Sequence, residues 1–557
     1  MSVEFFFYFV YYKLILISVL GYGFLIEKTI IRSSIKNLGM HGLVGLFFLI
    51  LYSYFSHFFY PHGMAHNVIL LFLGTVFFIK YFKFTKQYRL ILSVTFLILF
   101  IGLIIFKTHD DFPYYHFPYS YYLTQNPLFI GIGQFNHGFR TPSSLFYLNS
   151  LFYLPIIKYY TFYIPTVLIM GFSNLFLLDK ILFYRDQKKD HIFYLSLIFL
   201  IFFNIFFYRI QEHGTDRSAQ ILIAIFFIQL FSLIEFQKNY KKILSYLVIL
   251  LGLIISLKAF YILYLIFAVP IIYIFYIEKK LFLIRYIFKL PSTYFFILLI
   301  LFVVVTYFFN TGCLLYPVSI TCFENTLWSI GSLDTKQMSI HYELWSKAGK
   351  TPNFTTNDPE LYLQNLNWFS NWINLYFFNK VLDFILGLLF LCLVVLLLFK
   401  KNNFRKFYKN NNLRNIKIIY LFIVLLFIEW FFNHPSLRYG GYILIALISF
   451  IPLSYYLQNY DNDIKDSKKK VIILICITIL LFIGRNAKRI NNEIIKYDYN
   501  PLLSPRFYID ERHFRIQKEF DSLIKNFKSC KIKLSDCDLK SFNKVKEFYI
   551  DRYIFVR

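Results

Sequence analysis

Residues 381–417 read VLDFILGLLFLCLVVLLLF followed by KKNNFRKFYKNNNLRNIK. The first nineteen positions are apolar apart from Asp383. About 20 apolar residues span the hydrocarbon core as a helix, which satisfies its own backbone where there is no water. The next eighteen hold seven basic residues (Lys400, Lys401, Arg405, Lys406, Lys409, Arg414 and Lys417) and no acid. Lys and Arg accumulate in cytoplasmic loops, so this stretch reads as one span and one such loop.

The pattern extends in both directions. Spans are expected at 5–26, 42–60, 66–80, 90–106, 162–183, 192–208, 218–236, 243–257, 260–277, 292–309, 381–399, 416–432, 440–457 and 471–484. The stretch 243–277 reads either as two short spans or as a re-entrant pair. Basic clusters fall in every second loop: Lys28, Arg32 and Lys36; Lys80, Lys83, Lys86 and Arg89; Arg185, Lys188 and Lys189; Lys238, Lys241 and Lys242; Lys279, Lys280, Arg285 and Lys289; the run at 400–417; and Lys465, Lys468, Lys469 and Lys470. This alternation places both termini outside. The fold class expected is an all-α polytopic membrane protein of about 12–14 transmembrane helices. It carries extracytoplasmic loops and a small C-terminal extracytoplasmic segment. The divisions are 1–106, 162–309 and 381–484 in the membrane, with 107–161, 310–380 and 485–557 outside it.

Composition agrees. The chain has 557 residues, 58% hydrophobic, a surplus over soluble domains that only lipid tolerates at a surface. The net charge of +27 is accounted for by the loop clusters, so no nucleic-acid partner is expected. The start, MSVEFFFYFV, has an acid and no basic leader, so the first apolar run is expected to stay as a span. Of six cysteines, Cys392 and Cys476 fall in spans. Cys313 and Cys322 share one outer loop, and Cys530 and Cys537 share the tail, so two disulfides are expected on an oxidising side.

Candidate chemistry sits in the outer loops. In 107–124, KTHDDFPYYHFPYSYYLT, the residues His109, Asp110, Asp111 and His116 cluster at a span end. Adjacent carboxylates there suit a general base or a divalent metal, and read also as helix caps. In 209–217, RIQEHGTDR, the residues Glu212, His213, Asp216 and Arg217 exceed what a turn needs, with Arg217 a phosphate donor or an interfacial anchor. Lys258 either snorkels or holds a lipid phosphate. In 433–442, NHPSLRYGGY, the residues His434 and Arg438 read as a head-group clamp or as a tight turn. Trp328, Trp345, Trp368 and Trp372 read as interfacial residues or as sugar platforms, and 368–380 as an amphipathic segment lying on the membrane. No phosphate loop, metal-binding H-E-x-x-H helix or G-x-S-x-G elbow is present.

The run HDDFPYYHFPYSYYL resembles the Asp-x-x-x-Tyr/His-x-x-Pro run of the GT-C superfamily of membrane glycosyltransferases, in the subgroup with lipopolysaccharide-core and arabinose or mannose transferases. The resemblance covers roughly 107–440. Here the acidic pair follows about four spans, whereas most of the family carry it after the first. The resemblance implies a GT-C bundle, a polyprenyl-phosphate-linked sugar as donor, and a glycan or lipid acceptor. It implies a first-loop Asp as base or contact to a Mg or Mn ion, with Arg217, Lys258 or Arg438 on the leaving phosphate. The place it implies is a bacterial inner (plasma) membrane, among membrane lipids.

Overall fold

Helices begin where a cap precedes an apolar run. Ser2 and Asn37 accept from the backbone N–H of Phe5 (3.2 Å) and Met40 (2.9 Å), which frees the next residues to coil. Pro291 opens another helix at its first position, where the missing N–H is not needed. The computed structural model describes residues 2–32, 37–183, 191–235, 240–400, 412–460, 464–549 and 552–556. Of the basic loop residues, Lys36, Arg185, Lys188, Lys189, Lys238, Lys401, Arg405, Lys406 and Lys409 lie outside the described residues.

In chain order the helices are α1 (Val3–Ile26), α2 (Leu38–His57), α3 (Met64–Tyr81), α4 (Lys86–Phe100), α5 (Phe117–Gln125), α6 (Ser144–Leu151), α7 (Ile164–Phe183), α8 (His191–Phe206), α9 (Gly214–Glu235), α10 (Tyr240–Leu257), α11 (Ala268–Ile277), α12 (Phe282–Ile287), α13 (Pro291–Thr311), α14 (Ser332–Ser346), α15 (Pro359–Leu363), α16 (Phe369–Trp372), α17 (Leu382–Phe399), α18 (Asn412–Asn433), α19 (Gly441–Leu457), α20 (Ile464–Tyr497), α21 (Arg515–Ile532) and α22 (Leu539–Phe542). Two small antiparallel hairpins accompany them, β1 (Lys350–Thr351) with β2 (Phe354–Thr355), and β3 (Val545–Tyr549) with β4 (Arg552–Phe555). Among the described residues twelve helices are long and apolar enough to cross a membrane, and α8 and α19 are shorter apolar helices. The chain is an all-α multi-pass membrane protein, and each expected span falls on one of these helices.

Helices α2, α7 and α9 are buried on nearly every face, while α3, α4, α13, α17, α18 and α20 leave a face to lipid. In lipid, close backbone approach replaces the hydrophobic effect as the packing force. A Cβ at Gly21 of α1 would meet the Gly74 carbonyl of α3 at 1.8 Å, and one at Gly39 of α2 the Phe172 carbonyl of α7 at 2.3 Å.

Between α10 and α11 the chain turns at Lys258, whose backbone is extended (φ −154°, ψ 116°), and continues as a 3-10 helix over Ala259–Phe267. The stretch 243–277 is therefore a hairpin with Lys258 at its tip. The segments 107–161, 310–380, 433–439 and the tail meet at one end of the bundle. Phe555 N–H donates to the Ile130 carbonyl (2.9 Å), Gly131 N–H to that of Phe309 (2.7 Å) and Trp372 Nε1 to that of Pro435 (2.9 Å). The N-terminus joins them, since Ser2 N–H donates to the Leu502 carbonyl (2.9 Å).

Two expectations are corrected, the open indole platforms and the second disulfide. Residues 368–380 continue as helix into α17, from Phe369 to Phe399, with Trp368 and Trp372 buried. That burial also removes both indoles as open sugar platforms. Helix α20 contains the expected span 471–484 and runs on to Tyr497. Cys313 and Cys322 are disulfide-bonded, but Cys530 and Cys537 are free thiols. Cys530 is buried on α21, while Cys537 is partly exposed beyond a 3-10 turn, on the strand-like backbone that leads to α22.

Candidate functional site

Four charged side chains from four chain segments meet at this end of the bundle. Asp216 stands in the first turn of α9, where unbonded N–H groups favour a carboxylate. Lys258 Nζ at the hairpin tip bonds its Oδ1. Arg438 Nε donates to its Oδ2 at 2.5 Å. Arg438 Nη2 donates in turn to Asp111 Oδ2 at 2.7 Å, across 327 positions of sequence. The order is Lys258–Asp216–Arg438–Asp111. Side-chain exposure rises from 7% at Asp216 to 31% at Asp111 and 39% at Arg438, so a ligand reaches the Arg438–Asp111 end first.

Each position is braced. Arg438 lies in a 3-10 turn (Leu437–Tyr439) whose Arg438 carbonyl accepts from Gln220 Nε2 of α9 at 3.0 Å. Tyr376 Oη accepts from Leu437 N–H at 2.9 Å. The Lys258 ammonium sits 4.5 Å from the ring centre of Tyr439. Asp111 precedes a π-helical turn, Phe112–His116, and its N–H donates to His109 Nδ1 at 3.0 Å. Tyr115 Oη donates to Asp111 Oδ2 at 3.2 Å.

Burial opposes the charge on Asp111, yet the Arg438 guanidinium holds its carboxyl below the usual range. Burial, then Arg438, push the His109 imidazole down, so it is neutral at pH 7. With Nδ1 accepting, its proton resides on Nε2. Burial pushes His116 down to about 3 and the Tyr115 phenol well up. The His109 and His116 rings stack with centres 5.5 Å apart. Several polar atoms here are buried with no hydrogen-bond partner among the described residues, His116 Nε2, Arg217 Nη1, His213 Nδ1, Tyr261 Oη and His434 Nδ1 among them. Two carboxylates and two cations cancel, which leaves Arg217 as surplus positive charge beside neutral histidines.

The structure thus gathers Asp111, Asp216, Lys258 and Arg438, with His109, His116 and Arg217 alongside. Asp110 does not join them; it is exposed on the loop surface. Glu212 turns to Arg489 (2.7 Å) and Arg209 (3.5 Å). His213 Nε2 meets the Phe207 carbonyl at 2.6 Å, and burial pushes this ring to about 3. His434, pushed by burial to about 4, packs against Phe260 and Tyr439. Tyr115, Gln220, Tyr376 and Tyr439 were not foreseen; among 47 Tyr no local signal marks the three that matter.

Of the pair expected to contact a Mg or Mn ion, Asp111 is engaged by Arg438 and Asp110 is exposed.

No curated protein and no solved structure matches the chain. Residues 5–445 match the model of a family described as "Domain of unknown function (DUF8201)". That span takes in every member of the charged network, and the chain belongs to this family.

Proposed function

We propose that this chain is a membrane glycosyltransferase that moves a sugar from a polyprenyl-phosphate donor to a glycan or lipid acceptor on the outer face. The observation that carries this reading is the Lys258–Asp216–Arg438–Asp111 network, drawn from four segments at one membrane boundary. Ionised groups there are costly, and a turn or a cap needs none of this arrangement. The described basic clusters Lys80–Arg89 and Lys468–Lys470 lie at helix ends away from this face, which by the positive-inside rule supports a site and both termini outside. On this reading the membrane is a bacterial inner membrane.

In the reaction the acceptor O–H gives its proton to Asp111 and its oxygen bonds the anomeric carbon. The bond from that carbon to the phosphate oxygen breaks, and the electron pair stays on the phosphate. Arg217 has a free donor for it, and Lys258 and Arg438 add charge. A phosphate that draws on Arg438 also takes the counter-ion from Asp111. The carboxylate then becomes a stronger base once the donor is bound.

The test is transfer by purified protein from a labelled panel of polyprenyl-phosphate sugars, beside Asp111→Asn. Loss of transfer in the variant supports the assignment; full transfer by it refutes Asp111 as base. A second reading, an O-antigen polymerase or ligase-like enzyme working through Arg and His, is favoured by the partnerless atoms of Arg217 and His116. An active Asp111→Asn together with an inactive Arg217→Ala selects it. Substrate movement without bond cleavage would select a transporter or flippase.

A further inference from the structure

Helix α20 begins among the basic residues Lys468–Lys470, crosses the bundle and emerges at the site end, continuing to Tyr497. Its emergent part lies beyond residues 5–445. It faces two connections, 101–111 after α4 and 207–213 before α9. The first carries Asp111 and the second leads into Asp216. Both contain backbone groups that no helix satisfies, and buried groups of this kind need partners.

α20 and the residues after it supply those partners. Glu493 Oε2 accepts from the N–H of Phe106 (2.7 Å) and Lys107 (3.3 Å). Arg489 Nη2 donates to the Lys107 carbonyl (3.2 Å) and to Glu212 Oε1 (2.7 Å), while its Nε pairs with Glu493 (3.3 Å). Arg485 Nη1 donates to the Ile205 carbonyl at 2.6 Å. Tyr499 Oη donates to that of Ile104 at 2.7 Å, and the Phe106 ring packs on Tyr497 and Tyr499. Side-chain exposures of 13% for Arg489, 16% for Glu212 and 7% for Glu493 make these sheltered, charge-assisted bonds.

We infer that Arg489 and Glu493 are positioning residues: through Glu212 and the backbone at 106–107 they hold the Asp111 and Asp216 segments in register. Neither touches the charged network. Each acts through a loop, and among the described residues of α20 Arg489 bonds both loops, beside the direct bond from Gln211 Nε2 to the Leu103 carbonyl. A guanidinium suits this place because one planar group serves Glu212, Glu493 and a carbonyl together; an ammonium at the same position lacks that fork. The segment beyond residue 445 thus completes the site of the matched region. Naming that site rests on the transferase reading, whereas the test below reads the loops themselves.

The test is hydrogen exchange of the full chain in lipid nanodiscs, comparing the wild type with Arg489→Ala, with Arg489→Lys, which keeps the charge without the fork, and with Glu493→Gln, which keeps size. Losing charge-assisted bonds at two loops should speed exchange about tenfold or more in peptides 104–111 and 205–213. Peptides of α2 and α7 should be unchanged, and Arg489→Lys should recover part of the protection that Arg489→Ala loses. Wild-type exchange at both loops in Arg489→Ala and in Glu493→Gln overturns the inference. So does uniform acceleration through α2 and α7, or exchange in Arg489→Lys as fast as in Arg489→Ala at both loops. If wild-type protein transfers no sugar while the loops respond as stated, the transferase reading fails and the positioning role stands.

Discussion

At the scale of single residues, one carboxylate of an adjacent pair is engaged and its neighbour is not. Asp111→Asn should lower transfer by roughly 10²–10⁴-fold, as loss of a general base does. Asp110→Asn should stay within about twofold, since its side chain is exposed and outside the network. Initial rates with the same donor check both. Asp216→Ala should destabilise the protein by about 3–5 kcal/mol, because Lys258 and Arg438 lose their buried counter-charge; thermal unfolding in detergent reads it. Acid sensitivity has a second source. Burial holds His116 and His213 near 3, below their unfolded value of 6.5. Such groups contribute stability fully above pH 6.5 and lose it as pH falls from there towards 3, by at most about 1.4 kcal/mol per pH unit each. Melting temperatures between pH 7.5 and 5 should therefore fall, and less steeply in His213→Gln. Sequence picked out Asp111, Asp216, Lys258 and Arg438 because charge at a span boundary is conspicuous. It did not separate Asp111 from Asp110, since which of two neighbours turns inward is decided by the π turn at Phe112–His116 and by Arg438, far along the chain.

At the scale of elements, the spans were legible because hydropathy and length alone impose them, and sequence reading failed where tertiary contact overrides a local pattern. Trp368 and Trp372 look interfacial in sequence but are buried, and Trp372 is bonded to Pro435. The 3-10 segment after Lys258 has no sequence signature; its apolar run suits an α-helix equally. The tail looked like an appendage, yet β4 bridges to Ile130 and α20 reaches two loops. Cys313→Ser/Cys322→Ser removes the constraint on a nine-residue separation and should cost about 2–3 kcal/mol. Unfolding curves of the double variant, compared with the wild type under non-reducing conditions, check this.

At the scale of the whole molecule, the charged network stands at one end of the bundle, where the N-terminus and the tail also lie. If the network faces outward, a membrane-impermeant maleimide added to intact cells should label the partly exposed Cys537. Labelling only after lysis would reverse the orientation and remove an outer-face acceptor. Assembly order carries a consequence of its own. Asp111 leaves the ribosome 327 residues before its partner Arg438, so during synthesis the early helices enter the bilayer with their carboxylates unmatched. A chain released after α17 holds both acids and Lys258 but lacks the guanidinium between them. Such an unfinished chain leaves Asp111 without the counter-charge that Arg438 supplies.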